Sequence, residues 1–312
     1  MTITNLAAEA AAHWQGTPQN LICDRENAVF RMTLPDGSLA ALRLHRMGYQ
    51  TAAAIRSELW FCGALADKDL PVPRVLTAKD GAQLVTLSNG RMASAVEWLA
   101  GSPLGYAAVP LAGSPDDQAK QHYSLGRLLA QIHDAAETLT LPANFARPAW
   151  DLDGLTGETP FWGRFWEHPA LHDDERDEMQ KTRDFLRAAL QDHAANTPLM
   201  PVHADVLREN ILVDGTAMSI IDFDDSGLGF PLYDLGTVMS QNMYEPAMPT
   251  LHMALIEGYQ TLRPADPRIV DLFTLARSLA SVGWTVPRLE ANDPIMRSHI
   301  ERALMYARQM IQ

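Results

Sequence analysis

Between Pro201 and Phe223 the chain reads His203-Ala-Asp205-Val-Leu-Arg-Glu-Asn210, then an apolar Ile211-Leu-Val, then Asp214-Gly215. A second apolar run, Met218-Ser-Ile-Ile, leads to Asp222. An Asp and an Asn five residues apart, with another Asp closing the next apolar run, supply hard oxygen donors and a proton acceptor. Phosphoryl transfer needs those parts. A carboxylate must orient the attacking hydroxyl and take its proton, and oxygen ligands must hold Mg²⁺ against the phosphates. A lone His-x-Asp is ordinarily a turn or a cap, but the whole pattern is far more specific. His203 reads as a residue that bonds the backbone and shapes the loop. Asp224 is either a second metal ligand or a group that orients the first, and Asp225 reads as a turn residue.

Positioning such residues takes a polar loop followed by a tight β-hairpin, with Asp214-Gly215 as its turn. Upstream, Asn27 to Leu34, Pro35-Asp-Gly-Ser and Leu39 to His45 read as another hairpin. Thr51 can cap a helix whose apolar positions are Ala54, Ile55, Leu59, Phe61 and Cys62. Pro71-Val-Pro73 ends it, and strands are expected over 74–77, 82–88 and 92–98, the last two joined by Asn89-Gly90. After Gly101 the periodicity turns helical. Helices are expected over 118–138, 173–196, 251–262 and 267–312. Met1 to Trp14 reads as a short helix and not as a secretory signal, because it carries Glu9 and no leading basic residue.

Length and composition fit a globular protein of one large or two medium domains. With 312 residues and a formal net charge of −13, non-specific nucleic-acid or anionic-membrane binding is disfavoured. No apolar run reaches the length of a membrane span, so a cytoplasmic protein is expected. Cys23 and Cys62 are too few for a disulfide framework, and both are expected to be small buried residues.

The segment from His203 to Asp222 resembles the catalytic loop and metal-binding strand of the aminoglycoside phosphotransferase and choline kinase-like superfamily. Within it, the resemblance is to the branch of stress-response Ser/Thr kinases and type II homoserine kinases. Leu125 to His133 is similar to that family's long helix before the loop, Ala95 to Gly101 to its hinge, and Asp222 to Leu235 to its metal strand and following segment. The resemblance implies an α+β, bilobal, protein-kinase-like fold with a β-rich N-lobe and a mostly helical C-lobe. Residues 1–97 would cover the nucleotide, and residues 98–312 would carry catalysis and acceptor binding. It further implies ATP and Mg²⁺ as cofactors, Asp205 as catalytic base, Asn210 and Asp222 as metal ligands, and Asp234 as a buttress of the loop. On the nucleotide side it implies Asn27, within Arg25 to Phe30, in the place of the phosphate-covering loop. Arg43 stands where a Lys is usual, with Glu58 as its partner, and the hinge backbone runs from Glu97 to Leu99. Arg keeps the charge of Lys, but its planar fork is not equivalent to an ammonium.

Only a short segment separates Asp222 from Asp234, and no Ala-Pro-Glu follows. That favours a small hydroxyl-bearing acceptor, an amino alcohol or a hydroxy amino acid such as homoserine, over a docked peptide. The same branch includes kinases acting on protein Ser/Thr, so both acceptors stay open. The Trp-rich stretch from Arg147 to Trp166, with Trp150 and Asp151, reads either as packing or as a pocket for a cationic amine. The acidic run from Asp173 to Glu178 reads as a solvated helix start. Two other classes compete: a catalytically silent nucleotide-binding module, and a metal-dependent hydrolase using His203, Asp205, Asp222 and Asp224. No second His-rich motif at ligand spacing supports the hydrolase.

Overall fold

The computed structural model of the chain describes residues 2–24, 27–290 and 293–311. Of the phosphate-covering loop expected over 25–30, Arg25 and Glu26 therefore lie outside the described residues. The chain divides into two compact units. The first comprises Met1–Ser102, Leu139–Arg147 and Leu212–Asp224, and the second Pro103–Thr138, Pro148–Ile211 and Asp225–Gln312. The class is α+β, with an antiparallel sheet in the first unit and most helices in the second.

In the first unit, helix α1 (Ile3–His13) precedes strands β1 (Thr17–Asp24), β2 (Asn27–Thr33) and β3 (Leu39–His45). Helix α2 (Ala52–Ala66) follows, then β4 (Val75–Leu76), β5 (Leu84–Thr86) and β6 (Met92–Glu97). The sheet order is β1-β2-β3-β6-β4, with β5 also on β6. Both expected turns form. Asp36 Oδ1 accepts from Ser38 N at 2.9 Å at the first, and Gly90 takes φ 85° at the second. The two-residue period of a strand sorts the faces of β3. Ala40, Leu42 and Leu44 pack with Leu6 and Ala10 of α1 and with Trp14 just after it, and Arg43 is left on the opposite face, toward α2. Thr51 caps α2 by accepting from Ala54 N at 3.1 Å. The later segments of this unit cover α2. Phe145 meets Trp60 edge-on at 5.6 Å, and Phe223 meets Phe61 at the same distance.

The two-residue strand β7 (Ser102–Pro103) stands where the chain passes into the second unit. That unit holds α3 (Pro115–Glu137), β8 (Ala149–Trp150), α4 (Leu152–Thr156), α5 (Asp173–Asn196) and β9 (Met200–Val202). The chain then forms the hairpin β10 (Ile211–Asp214) and β11 (Ala217–Ile220), of which all but Ile211 belongs to the first unit. Back in the second unit come β12 (Gly227–Gly229), α6 (Pro231–Asn242), α7 (Met248–Gln260), α8 (Pro267–Thr285) and α9 (Pro294–Ile311). Strand β12 lies parallel to β8 and antiparallel to β9. Helices α3 and α7 approach so closely that a Cβ on Gly126 would lie 2.0 Å from the Leu255 carbonyl oxygen, and one on Gly258 2.0 Å from that of Tyr123.

Three expectations are corrected. The helical pattern over 267–312 is two helices, because Pro287 and Pro294 bracket a break that neither helix can run through. Cys62 is buried as expected, but Cys23 is exposed, since β1 leaves most of its residues in solvent. The acidic helix start is only partly solvated. Glu175 is buried and closes a capping box with His172 at the head of α5.

Candidate active site

Each unit carries a cluster of charged side chains. In the first, Arg43 on β3 is buried and forms an ion pair with Glu58 of α2, itself buried. Its second terminal nitrogen lies 3.3 Å from Asp222 Oδ1 and 3.4 Å from Asp224 Oδ1. Burial alone would weaken the Arg43 charge. Glu58, Asp222 and Asp224 outweigh that and hold its pKa above the usual arginine value. Asp224 is buried, its Oδ1 has no hydrogen-bond partner, and its backbone carbonyl accepts from Arg147. Desolvation, reinforced by Glu58, pushes its carboxyl up to about 7. Asp222 differs: its side chain is 50% exposed, and its backbone takes φ 66°. Asp is among the few residues that tolerate this left-handed conformation. One exposed carboxylate beside one buried carboxylate oxygen that accepts no hydrogen bond is a donor set that suits a hard cation. Among the described residues, no three His, Cys, Asp or Glu side chains gather as a ready-made cage. Magnesium needs none, since it uses one or two carboxylates and keeps water or phosphate oxygens as its other ligands.

The remaining first-unit candidates lie along the sheet. Asn27 is buried at the start of β2, where its Oδ1 accepts from Arg46 N at 3.3 Å. The Glu97 N–H donates to the Arg74 carbonyl at 2.8 Å, and that of Trp98 to the Leu39 carbonyl at 3.2 Å. Leu99, half-buried, follows just beyond the strand.

In the second unit, the loop after β9 is fixed from behind by Asp234, which α6 carries in its first turn. Asp234 is fully buried and accepts from Ala204 N at 2.7 Å and from His203 N at 3.0 Å. His133 of α3 adds a contact at 3.0 Å, and its other ring nitrogen meets the Tyr259 hydroxyl at 2.9 Å. Those bonds hold Ala204 at φ 63°, a conformation that costs an alanine free energy and persists only where its surroundings impose it. His203 is buried, and its Nδ1 accepts from Asp205 N at 3.2 Å, which is backbone work. Asp205 thus emerges half-buried with both carboxylate oxygens engaged. Arg277 of α8 donates to Oδ1 at 2.7 Å, and the Asn210 amide to Oδ2 at 2.9 Å. Asn210 also reaches the Asp205 carbonyl at 2.9 Å, which leaves its own side-chain oxygen for another partner. Arg208, between them in sequence, is buried and ties the loop to Asn242 and Glu245.

Trp150 and Asp151 are committed within the unit. Trp150 is fully buried, stacks on Tyr233 at 5.4 Å and donates to the Asp225 carbonyl at 2.9 Å. Asp151 caps α4 by accepting from Gly154 N at 2.6 Å. Sequence reading missed Arg277. Its only signal is a lone Arg within the apolar helix Leu272-Phe-Thr-Leu-Ala-Arg277-Ser-Leu-Ala.

Residues 23–273 match the phosphotransferase enzyme family, APH. The chain belongs to that family. A homoserine kinase of Rhizobium etli is 31% identical to it over 227 residues, which are 69% of this chain and 63% of that relative. The chain thus spans somewhat less than two thirds of that curated relative's length. Among solved structures, a microcompartment-associated aminopropanol kinase is 26% identical with a TM-score of 0.79, over 98% of this chain and 94% of the other. An amicoumacin kinase in complex with AMP-PNP and Ca²⁺ shares the fold alone. It gives a TM-score of 0.76 at 14% identity, over 99% of this chain and 92% of the other. Among the described residues, no helix is long and apolar enough to cross a membrane.

Proposed function

We propose that this chain transfers the γ-phosphoryl group of ATP to a hydroxyl of a small molecule, an amino alcohol or a hydroxy amino acid. The observation that carries the reading is Asp205, half-buried and aimed by Arg277 and Asn210 from a loop that Asp234 braces. In this reading Asp205 accepts the proton of the acceptor hydroxyl as its oxygen attacks phosphorus. The bond from phosphorus to the β-γ bridging oxygen breaks, and ADP leaves. Residues 1–97 cover the nucleotide and residues 98–312 bind the acceptor. Arg43, held by Glu58, engages the α- and β-phosphates, Asn27 belongs to the loop that covers the phosphates, and the backbone of Glu97 to Leu99 receives the adenine. Asn210 and Asp222, with Asp224 as a further oxygen donor, would hold Mg²⁺, which when bound neutralises charge on the phosphates. Trp150 and Asp151 support the acceptor side from behind. The family and its homoserine kinase and aminopropanol kinase relatives favour a small acceptor over a protein.

The test is a transfer screen with Mg-ATP over homoserine, hydroxylysine, choline, aminoglycosides and a generic protein. Transfer to a small hydroxyl compound, abolished in Asp205→Ala while Mg-ATP still raises the melting temperature, is the expected result. Efficient phosphorylation of protein with no small acceptor used would point to the Ser/Thr kinase reading instead. Nucleotide binding without any transfer would mark a silent module.

A further inference from the structure

Helix α8 carries Arg277, Ser281 and Trp284 at spacings of four and three, which puts them on one side of the helix. Facing Ser281 are His299 and Arg302 of α9. Arg302 donates to Ser281 Oγ at 3.0 Å and lies 3.0 Å from His299 Nδ1. Aromatic rings border this cluster. Trp162 lies under that of Arg277 at 4.5 Å, and Trp284 stacks on His299 at 6.3 Å.

This arrangement is short of negative charge. Asp205 pairs with Arg277, but among the described residues no carboxylate pairs with Arg302. Its hydrogen-bonded neighbours are a serine and a histidine. Burial, with Arg302 and Arg277 adding to it, drives His299 down to about 3, so this ring is neutral. Arg302 itself is lowered to about 10, first by desolvation and then by the like charge of Arg277. Two donors, Nε of Arg277 and Nε of Arg302, are buried with no partner. An enclosed guanidinium without a counter-charge is costly, and a planar anion is the partner that its fork fits.

We infer that Arg302 and Arg277 form an anion subsite beside Asp205 that holds the carboxylate of the phosphate acceptor. The spacing sets the size of the molecule. Arg277 touches Asp205 and Ser281 touches Arg302, so one turn of α8, about 6 Å, separates the proton-accepting end from the anion-binding end. A hydroxyl and a carboxylate at the two ends of a short carbon chain span about that distance. The acceptor is therefore a small hydroxy acid, and an amino alcohol leaves the Arg302 charge unanswered. This inference rests on the phosphotransferase reading for its chemistry, but the anion subsite itself does not.

The decisive comparison is homoserine against 3-aminopropan-1-ol, the same skeleton with hydrogen in place of the carboxylate. The wild-type protein should show a kcat/KM at least tenfold higher for the acid. Arg302→Met should remove that preference chiefly through KM for the acid, and Arg302→Lys should restore part of it. Because the buried charge is uncompensated, Arg302→Met should melt no lower than wild type without ligand, which separates lost binding from lost folding. Equal or better use of the amino alcohol, or an acid preference that survives in Arg302→Met, overturns the subsite and leaves the phosphotransferase reading standing. If no acceptor is phosphorylated, that reading fails and melting decides the subsite. Homoserine or 4-hydroxybutyrate should then raise the wild-type melting temperature and leave Arg302→Met unmoved, and no shift in either protein overturns it.

Discussion

Asp234 fixes the loop that carries Asp205. Its carboxylate meets two backbone N–H groups and His133, all inside the second unit. Asn has a single acceptor oxygen and would turn its NH₂ toward one of those donors. Asp234→Asn should therefore cost about 2–3 kcal/mol, read as a lower melting temperature, and should depress turnover more than nucleotide binding. Asp222 poses a different problem, because its carboxylate sits on backbone at φ 66°. An alanine there keeps the strain and a glycine does not, so Asp222→Gly should be more stable than Asp222→Ala by about 1 kcal/mol. Both variants should lose metal-dependent nucleotide binding, measured by calorimetry with and without Mg²⁺.

At the scale of elements, two joints are exposed to test. Gly126 is where α3 and α7 touch, and Gly126→Ala must push the helices apart against backbone atoms. A loss of about 3 kcal/mol or more is expected, seen as a fall in melting temperature without loss of helical circular dichroism at low temperature. The head of α5 is tied to α9 by Arg297, which forks onto both oxygens of Glu175 and reaches one of them at 2.8 Å. The hydrogen bond from Arg297 is the main reason that the Glu175 carboxyl drops to about 2 from an ordinary value of 4.5. A depressed carboxyl stabilises the fold above its unfolded pKa, and that contribution fades as pH falls through the folded one. The melting-temperature gap between wild type and Arg297→Met should thus be full above about pH 4.5 and shrink toward pH 2.

The same elements show what sequence could and could not reveal. The loop and hairpin from His203 to Asp222 were legible because the chemistry is contiguous and the turns carry Gly. The α2 cap and both N-terminal hairpins were legible for the same local reasons. Helix α6 was not anticipated, since Pro231 to Asn242 is buried on nearly every side and shows no polar face to mark its period. The break between α8 and α9 was hidden by apolar spacing that continues across it, although its two prolines were in view. Arg277 lies 72 residues from Asp205, and only tertiary packing of α8 joins them.

For the molecule as a whole, acid should be destabilising before most carboxylates titrate, the raised Asp224 apart. Burial lowers the pKa of His45 well below the ordinary value, that of His122 to about 4 and that of His299 to about 3. Each stays neutral when folded and binds a proton when unfolded. Stability they confer is complete above the unfolded value near 6.5 and declines as pH falls below it. Thermal unfolding scanned between about pH 7.5 and 4.5 should show that decline, and His299→Gln should reduce it. The division into units also bears on how the protein is made. Phe145 and Phe223, which cover Trp60 and Phe61 of α2, arrive late in the chain. A ribosome adding roughly 5–20 residues each second leaves α2 uncovered for on the order of ten seconds after Ser102 has been joined. During that interval the nascent N-terminal half presents an apolar helix face, which makes it a client for a chaperone at the exit tunnel. A fragment cut at Ser102 would keep that face for good.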